Sequence, residues 1–589
     1  MVIEHNVKKT DTVLAETGKT DFIAVLPDCP DEYEQFAASE LCWIFSLAVG
    51  VKPEVVSEKD LTAKTRRIFL GKTEALKKLG EKPTFEEFSY DGYKIRTEGE
   101  DVYIYGLQRG TYFGVYEFCK IHFGYRYYAK TEIKIDKADK YYFHSISVFE
   151  KPDIDARSLG FWSTYKLEVT GNFEHACRMK LGRNLHTDWI LSAHTYFQIL
   201  PKEKYFAEHP DWYSPAGNNL CLTNEEMTAA FIESLKKIIS ETKGNYLMMG
   251  QEDNFEFCDC PRCRAKIAET GSPSAVMMRF SNKVAREIKA WLKETDPDRP
   301  LTLVTFAYNA TNKPPVKTDE NGKYVPACDG VVVEDNLAVM IVPFSCVYSK
   351  AYNDKKYNPA VADTFEGWSA VTKNMHVWTY CCNFDNYMIN FNNWSMMKKN
   401  YSILRDYGVS FIFDQGSHNS PTPCFEELRQ FLQAGFMWNL EQDEEQLTDE
   451  FFDEYYKDIA PHMKNYWQMF RVRWDFIESE YGEGARTGAG DSSCWNLAQF
   501  WPKEFLSCCM NVLNEARAKL ELLRVKEWDK YLLLRPRLLK DSLSVRFILL
   551  NVYGNDYGSE LSRMVQKFKD DCKACGILVF NEGDFMGVC

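Results

Sequence analysis

An apolar run, Tyr246-Leu-Met-Met249, ends abruptly at Gly250 and is followed by four polar side chains, Gln251, Glu252, Asp253 and Asn254. Two adjacent carboxyl groups at such a place suit proton transfer. One can protonate a departing glycosidic oxygen, and a second group can stabilise the oxocarbenium-like centre left behind. The plainer alternative is a polar loop or helix cap after a strand. Adjacency narrows the chemistry. Neighbours on an extended backbone point to opposite sides, which is awkward for an acid and a nucleophile facing one bond. A different division fits better. One carboxyl protonates the leaving group while its neighbour orients the substrate's own 2-acetamido group for internal attack.

Polar and aromatic groups end other apolar runs: Arg157 and Trp162, His186 and Asp188, Tyr308 and Asn309, Tyr380, Asn383 and Asp385, and Asp414-Gln-Gly. His194 precedes an aromatic-rich stretch, Tyr205-Phe-Ala-Glu-His-Pro-Asp-Trp-Tyr213. Each taken singly reads as structural or merely exposed. Together they suggest one polar, aromatic mouth. Asp414 stands apart as a late-strand carboxylate, a nucleophile or a ligand for a substrate hydroxyl.

Cys258-Asp-Cys260-Pro-Arg-Cys263 has the spacing of a zinc half-site. A structural zinc takes four ligands, and only His209 and Cys221 offer themselves, by proximity in sequence alone. The reading adopted is a thiol-rich turn bracing the neighbouring loop, with no metal and no cofactor. No Gly-x-Gly-x-x-Gly follows a strand. Gly71-Lys-Thr lacks the glycine spacing of a phosphate loop, and no Gly-x-Ser-x-Gly elbow occurs.

These groups need a scaffold. Residues 149–440 alternate short apolar runs with amphipathic stretches, which predicts parallel strands joined by crossover helices. The runs are Ala156–Phe161, Asn184–Ile190, Tyr246–Met249, Leu301–Tyr308, Ala338–Val342, His376–Tyr380 and Val409–Phe413. Seven or so such runs suit a (β/α)₈ barrel, where reactive groups sit at the C-terminal ends of the strands. Residues 1–148 read as a small α/β accessory domain. Residues 441–589, rich in Leu, Lys, Glu and aromatics at helical spacing, read as a helical domain.

The chain has 589 residues, 45% hydrophobic and 26% charged. It is long enough for one large core with accessory modules. A net charge of −14 disfavours nucleic acid and anionic membranes as partners. No run approaches the roughly 18 apolar residues of a membrane span. Aromatics make up 15% of the chain, compatible with rings that pack against sugar faces. The 19 cysteines are odd in number and scattered, unlike a secreted disulfide framework. With no apolar signal core near Met1, the expected location is the cytoplasm. The oligomeric state is not legible.

At these residues the chain resembles a known family. Gly110-Thr-Tyr-Phe-Gly-Val-Tyr-Glu-Phe, followed by Gly124-Tyr-Arg-Tyr-Tyr-Ala, is similar to the end of the domain that precedes the barrel in α-glucuronidases and β-hexosaminidases. His209-Pro-Asp-Trp-Tyr, Leu220-Cys-Leu-Thr-Asn, Cys258-x-Cys-x-x-Cys263, Gly271-Ser-Pro-Ser and Arg279-Phe-Ser-Asn resemble the α-glucuronidase-like barrel family that includes glycoside hydrolase family 163. So do Trp378-x-Tyr380, Asn383-Phe-Asp-Asn-Tyr387 and Asp414-Gln-Gly416, and the likeness spans most of residues 20–460. Family 163 enzymes are endo-β-N-acetylglucosaminidases that cut the chitobiose core of N-glycans with substrate assistance. The resemblance implies that Glu252 is the general acid/base and Asp253 the acetamido-orienting group. Arg157, Trp162, His186, His194, Gln251, Asn254, Tyr308, Trp378, Tyr380, Asn383 and Asp414 are then the expected ligands of an oligosaccharide. Two alternatives stay open: an α-glucuronidase-like hydrolase, using Arg157 or other basic groups to bind a sugar carboxylate, and a non-catalytic carbohydrate-binding barrel.

Overall fold

The computed structural model describes residues 1–62, 66–182, 185, 187–482, 487–490 and 496–583. The chain opens with a seven-stranded mixed sheet. Its strands are β1 (Val2–Glu16), β2 (Phe22–Leu26), β3 (Val55–Ser57), β4 (Arg66–Leu70), β5 (Tyr93–Glu98), β6 (Asp101–Gly106) and, after a short hairpin of β7 (Arg126–Ala129) and β8 (Glu132–Lys134), β9 (Lys140–Glu150). The order is β1-β9-β5-β6-β4-β2-β3. The Glu32–Val49 helix starts on a capping box: Asp31 accepts from the Glu34 amide at 2.9 Å, and the Glu34 carboxylate accepts from the Asp31 amide at 2.9 Å. The Gly110–Phe123 helix lies so close to the sheet that a Cβ at Gly114 would stand 2.6 Å from Ile104 Cγ2. Ile104, Phe113, Phe118, Leu41 and Phe45 share the core beneath these helices.

The second sheet positions the candidate site. It contains β10 (Ala156–Leu159), β11 (Trp189–Leu191), β12 (Tyr246–Met249), β13 (Thr302–Ala307), then a hairpin of β14 (Val316–Thr318) and β15 (Tyr324–Pro326), β16 (Leu337–Ile341), β17 (Met375–Tyr380) and β18 (Val409–Gln415). The hairpin stands apart, and the seven remaining strands run in the order β10-β18-β17-β16-β13-β12-β11. Every neighbouring pair is parallel. Parallel neighbours need crossovers. Those between β11 and β18 include the Glu225–Glu241, Pro273–Thr295, Pro359–Ser369 and Met397–Asp406 helices. Ser272 caps the second of these through the Ala275 amide, with Pro273 in its first turn.

The sheet curls strongly. Trp189 of the edge strand β11 meets Phe411 of β18 with ring centroids 5.2 Å apart, and Tyr246 meets His376 of β17 at 5.5 Å. Strands far apart in sheet order thus share one interior. Burial holds His376 neutral, its pKa lowered to about 3. The expectation of parallel strands with crossover helices is met by a half-barrel. Among the described residues there are seven parallel strands, and the eighth that a closed (β/α)₈ barrel requires is not among them. Arg183, Asn184 and His186, within the run read as Asn184–Ile190, lie outside the described residues. On the open side of β10, Arg157 forms an antiparallel bridge with Gly182.

From Glu444 onward the chain is helical: Glu444–Tyr456, Ala460–Tyr481, Lys503–Lys526, Trp528–Tyr553 and Leu561–Ala574. Ion pairs tie these helices back to the β7–β8 hairpin, with Arg126 to Glu450 at 2.6 Å and Arg537 to Glu132 at 3.0 Å. The segment after the last helix returns to the sheet. The Tyr387 amide donates to Phe580 O at 2.7 Å, and the Glu582 amide to Phe384 O at 3.0 Å. No helix among the described residues is long and apolar enough to cross a membrane.

Candidate active site

The exit of β12 is held in place by backbone. Thr195 Oγ donates to Met248 O at 2.7 Å and accepts from the Gly250 amide at 3.0 Å. The Thr195 and Tyr196 amides both donate to Gly250 O. A Cβ at Gly250 would lie 2.3 Å from Ala193 O and 2.8 Å from the Phe306 ring, so only glycine permits this approach.

The polar run then fans out. Gln251 is buried and donates to Tyr308 O and Thr311 Oγ, each at 2.8 Å. Glu252 is half-buried. Its carboxylate accepts from the Phe197 amide at 3.0 Å, and its own amide donates to Asn219 Oδ1 at 3.1 Å. Asp253 faces solvent, with 66% of its side chain exposed. Its Oδ1 accepts from the Tyr308 hydroxyl at 3.1 Å and lies 3.9 Å from His194 Nε2. Asn254 Oδ1 accepts from Asn219 Nδ2 at 2.9 Å, and Asn254 O from Asn309 Nδ2 at 2.9 Å.

Environment separates the two carboxyl groups. Burial raises the pKa of Glu252, and the Phe197 hydrogen bond and the charge of His194 only partly oppose this. Burial, with a smaller contribution from the charge on Asp253, pushes the Tyr308 hydroxyl up to about 12. Tyr308 therefore stays protonated and acts as a donor.

Side-chain alternation sorts the other expected ligands. Phe306, Trp378 and Phe413 share the interior, Trp378 meeting Phe413 edge-on at 4.6 Å and Phe306 at 6.2 Å. Trp378 Nε1 donates to Gln415 Oε1 at 2.7 Å. Tyr380 follows on the same face, buried against Phe344 and Phe384. His194 approaches Phe306 at 5.5 Å, and its Nδ1 lies 2.6 Å from Gln251 O. Trp162 is half-buried just beyond β10, its amide donating to Ser417 O at 2.9 Å. Asn383, also half-buried, turns the loop after β17 by accepting from the Asp385 amide at 2.9 Å. His186 lies outside the described residues.

Two expectations are corrected. Arg157 sits near the start of β10, away from the mouth, and is fully buried. It is occupied by Asp91 at 2.8 Å and by the carbonyls of Ile154, Asp155 and Lys180. It joins the half-barrel to the N-terminal layer and is not placed to bind substrate. Asp414 does lie late in β18, but it pairs in register with Thr379, and both face away from the interior. It accepts from Tyr401 at 2.5 Å and Gln433 at 2.8 Å on two surrounding helices. The residue of β18 that faces the mouth is Gln415.

The folded chain adds groups that the sequence reading passed over. Phe255, directly after the polar run, is 85% exposed, and Phe344 is 37% exposed. An aromatic residue directly after four polar ones was the available sequence signal for Phe255. Glu582 reaches the same region from the far end of the chain. Partial burial and the negative charge of Asp253 raise its pKa. Nothing in its local sequence marks it. The cysteine motif also gains a partner. The Sγ atoms of Cys221, Cys258, Cys260 and Cys263 all lie within 4.8 Å of one another. His209, the other sequence candidate, stacks on Trp212 at 4.0 Å instead.

A curled parallel sheet with polar groups at its C-terminal edge is flanked by an α/β layer and a helical region, an architecture similar to the folds of solved glycoside hydrolases. The chain superimposes on a family GH115 4-O-methyl-α-glucuronidase with specificity for decorated arabinogalactans, with a TM-score of 0.56 and 11% identity over 96% of this chain and 77% of that one. A family 89 glycoside hydrolase from Clostridium perfringens gives a TM-score of 0.48 at 10% identity, covering 92% of this chain and 65% of that one. A β-N-acetylhexosaminidase from Bacteroides fragilis gives 0.41 at 10% identity, covering 79% and 94%. At 11% identity the likeness to the first of these is one of fold alone. No curated protein matches the sequence. The chain belongs to the family described as Domain of unknown function (DUF4838), whose sequence model matches residues 127–468.

Proposed function

We propose that the protein is a retaining β-N-acetylglucosaminidase, endo-acting on N-glycan-type oligosaccharides, in which Glu252 is the acid/base and Asp253 orients the substrate's acetamido group. The observation that carries this reading is the unequal pair at the exit of β12. Glu252 is half-buried with a raised pKa, and Asp253 is exposed against a tyrosine hydroxyl. A general acid needs a pKa above the ordinary carboxylate range, and burial moves Glu252 in that direction. Asp253 stays free to accept the acetamido N–H, and Tyr308 bounds the same space.

In the first step the acetamido oxygen bonds to C1 as the C1–O bond to the leaving sugar breaks. Glu252 gives its proton to that leaving oxygen. In the second step water adds to C1 and returns a proton to Glu252, the C1–acetamido bond breaks, and the configuration at C1 is retained. No separate enzyme nucleophile is required, which suits two carboxyl groups adjacent in sequence. A uronic-acid hydrolase would need a cation for the sugar carboxylate. The sequence candidate, Arg157, is committed to Asp91.

The test is mass spectrometry of glycan products from wild type and Glu252→Gln, with aryl N-acetylglucosaminide and aryl glucuronide assayed in parallel. Loss of acid catalysis should cost roughly 10²–10⁴-fold. Cleavage of the glucuronide alone would replace the proposed substrate. Glycan binding without hydrolysis by wild type would mark a binding protein.

A further inference from the structure

We propose that Cys221, Cys258, Cys260 and Cys263 form a structural zinc site that locks the loop carrying Glu252 and Asp253 to its neighbour. The Cys221 sulfur lies 3.6 Å from that of Cys260 and 3.7 Å from that of Cys263. Sulfurs bound about 2.3 Å from one tetrahedral zinc stand about 3.8 Å apart. These distances are far longer than an S–S bond of about 2.05 Å, and all four thiols are free.

The surroundings favour a metal over ordinary core packing. Buried thiols usually pack as small hydrophobes among aliphatic side chains. Here Cys221, Cys258 and Cys263 are almost fully buried, yet among the described residues they form an apolar cluster of their own with Cys260, edged by the Thr223 hydroxyl 3.2 Å from Cys263 Sγ. Cys260 also caps the Pro261–Thr270 helix, accepting from the Cys263 amide at 3.4 Å, so two ligands are presented by one tight turn. Cys221 comes from a different segment, held by its amide, which donates to Trp212 O at 2.8 Å. Four sulfurs leave no open coordination position, which defines a structural site and not a catalytic one. A tetrahedral all-sulfur set selects zinc or iron, and the proposal commits to zinc. Binding converts four thiols to thiolates and releases their protons.

The site lies where it can act on the polar run. Asn219, two residues before Cys221, accepts from the Glu252 amide and donates to Asn254 Oδ1. Asn218 Nδ2 donates to Glu256 Oε2 at 2.7 Å. The metal would clamp both segments just beyond these bonds, a role that holds whichever sugar the enzyme cleaves.

The test is metal analysis of the purified full-length chain by inductively coupled plasma mass spectrometry. Expected are about one zinc per chain in wild type and in Cys42→Ser, a cysteine of the N-terminal layer, and loss of zinc in Cys221→Ser and Cys263→Ser. Should the variants fail to fold, titration of wild type with a mercurial, read by a zinc-sensitive dye, must release the zinc as about four thiols react. Folded wild type lacking zinc after growth with added zinc, bound iron in its place, or zinc retained in both serine variants would overturn the proposal.

Discussion

The Tyr308 hydroxyl reaches Asp253 Oδ1 across 3.1 Å, joining the exits of β13 and β12. His194 Nε2 stands 3.9 Å from the same oxygen. Asp253 is thus oriented from two sides while most of its carboxylate remains open to solvent. A carboxylate held this way can meet a ligand without first giving up an internal partner.

Replacing Tyr308 by Phe tests that orientation. A hydrogen bond to a charged group contributes about 1.5–3 kcal/mol, so kcat/KM should fall roughly 10–150-fold while the melting temperature barely moves. Unchanged kinetics on a cleaved N-acetylglucosaminide would remove Tyr308 from the mechanism.

The acidity of Glu252 has a definite sign. An acid catalyst works protonated, and burial raises its pKa. Activity should therefore survive above the ordinary carboxylate range and then fall as pH climbs through the raised value. The residual activity of Glu252→Gln should lack that descending limb. A variant profile that keeps the limb would assign it to another group.

Phe255 is 85% exposed and makes little packing contribution to lose. If its ring carries a sugar face, Phe255→Ala should forfeit about 1 kcal/mol of stacking, raising KM roughly fivefold on an oligosaccharide with kcat and stability unchanged. An equal KM on long and short substrates would show that the ring is merely exposed.

Asp414 gives the opposite pattern. Removing it in Asp414→Ala leaves Tyr401 and Gln433 without their buried acceptor, at about 1–3 kcal/mol each. Thermal unfolding should move down by several degrees while kcat stays within about threefold of wild type. A collapse of kcat in a stable variant would return Asp414 to the mouth.

Much of this arrangement was readable in the residues. The apolar run before Gly250 and the polar run after it mark a strand exit, and Trp378 and Tyr380 share a face because they lie two apart. Asp414 was misplaced because a run of apolar residues locates a strand without fixing which face each residue takes. Register with Thr379 decides that, and register is a tertiary property. Arg157 was misplaced for a related reason. It is the second residue of its strand, and the Asp91 that binds it comes from the turn before β5, in the N-terminal layer. Cys221 was offered only by its proximity in sequence, on equal terms with His209, and Glu582 was illegible as a partner of the site because loop closure over a long separation leaves no local signature.

The segment around Phe580 and Glu582 gives the molecule a built-in order of completion. Synthesis delivers the carboxyl pair early, and N-terminal parts of a chain generally fold first. The stretch that pairs with Tyr387 and Phe384, and brings Glu582 near Asp253, emerges only long after that pair. A chain stopped between Asp253 and Phe580 would carry Glu252 and Asp253 without that segment beside them.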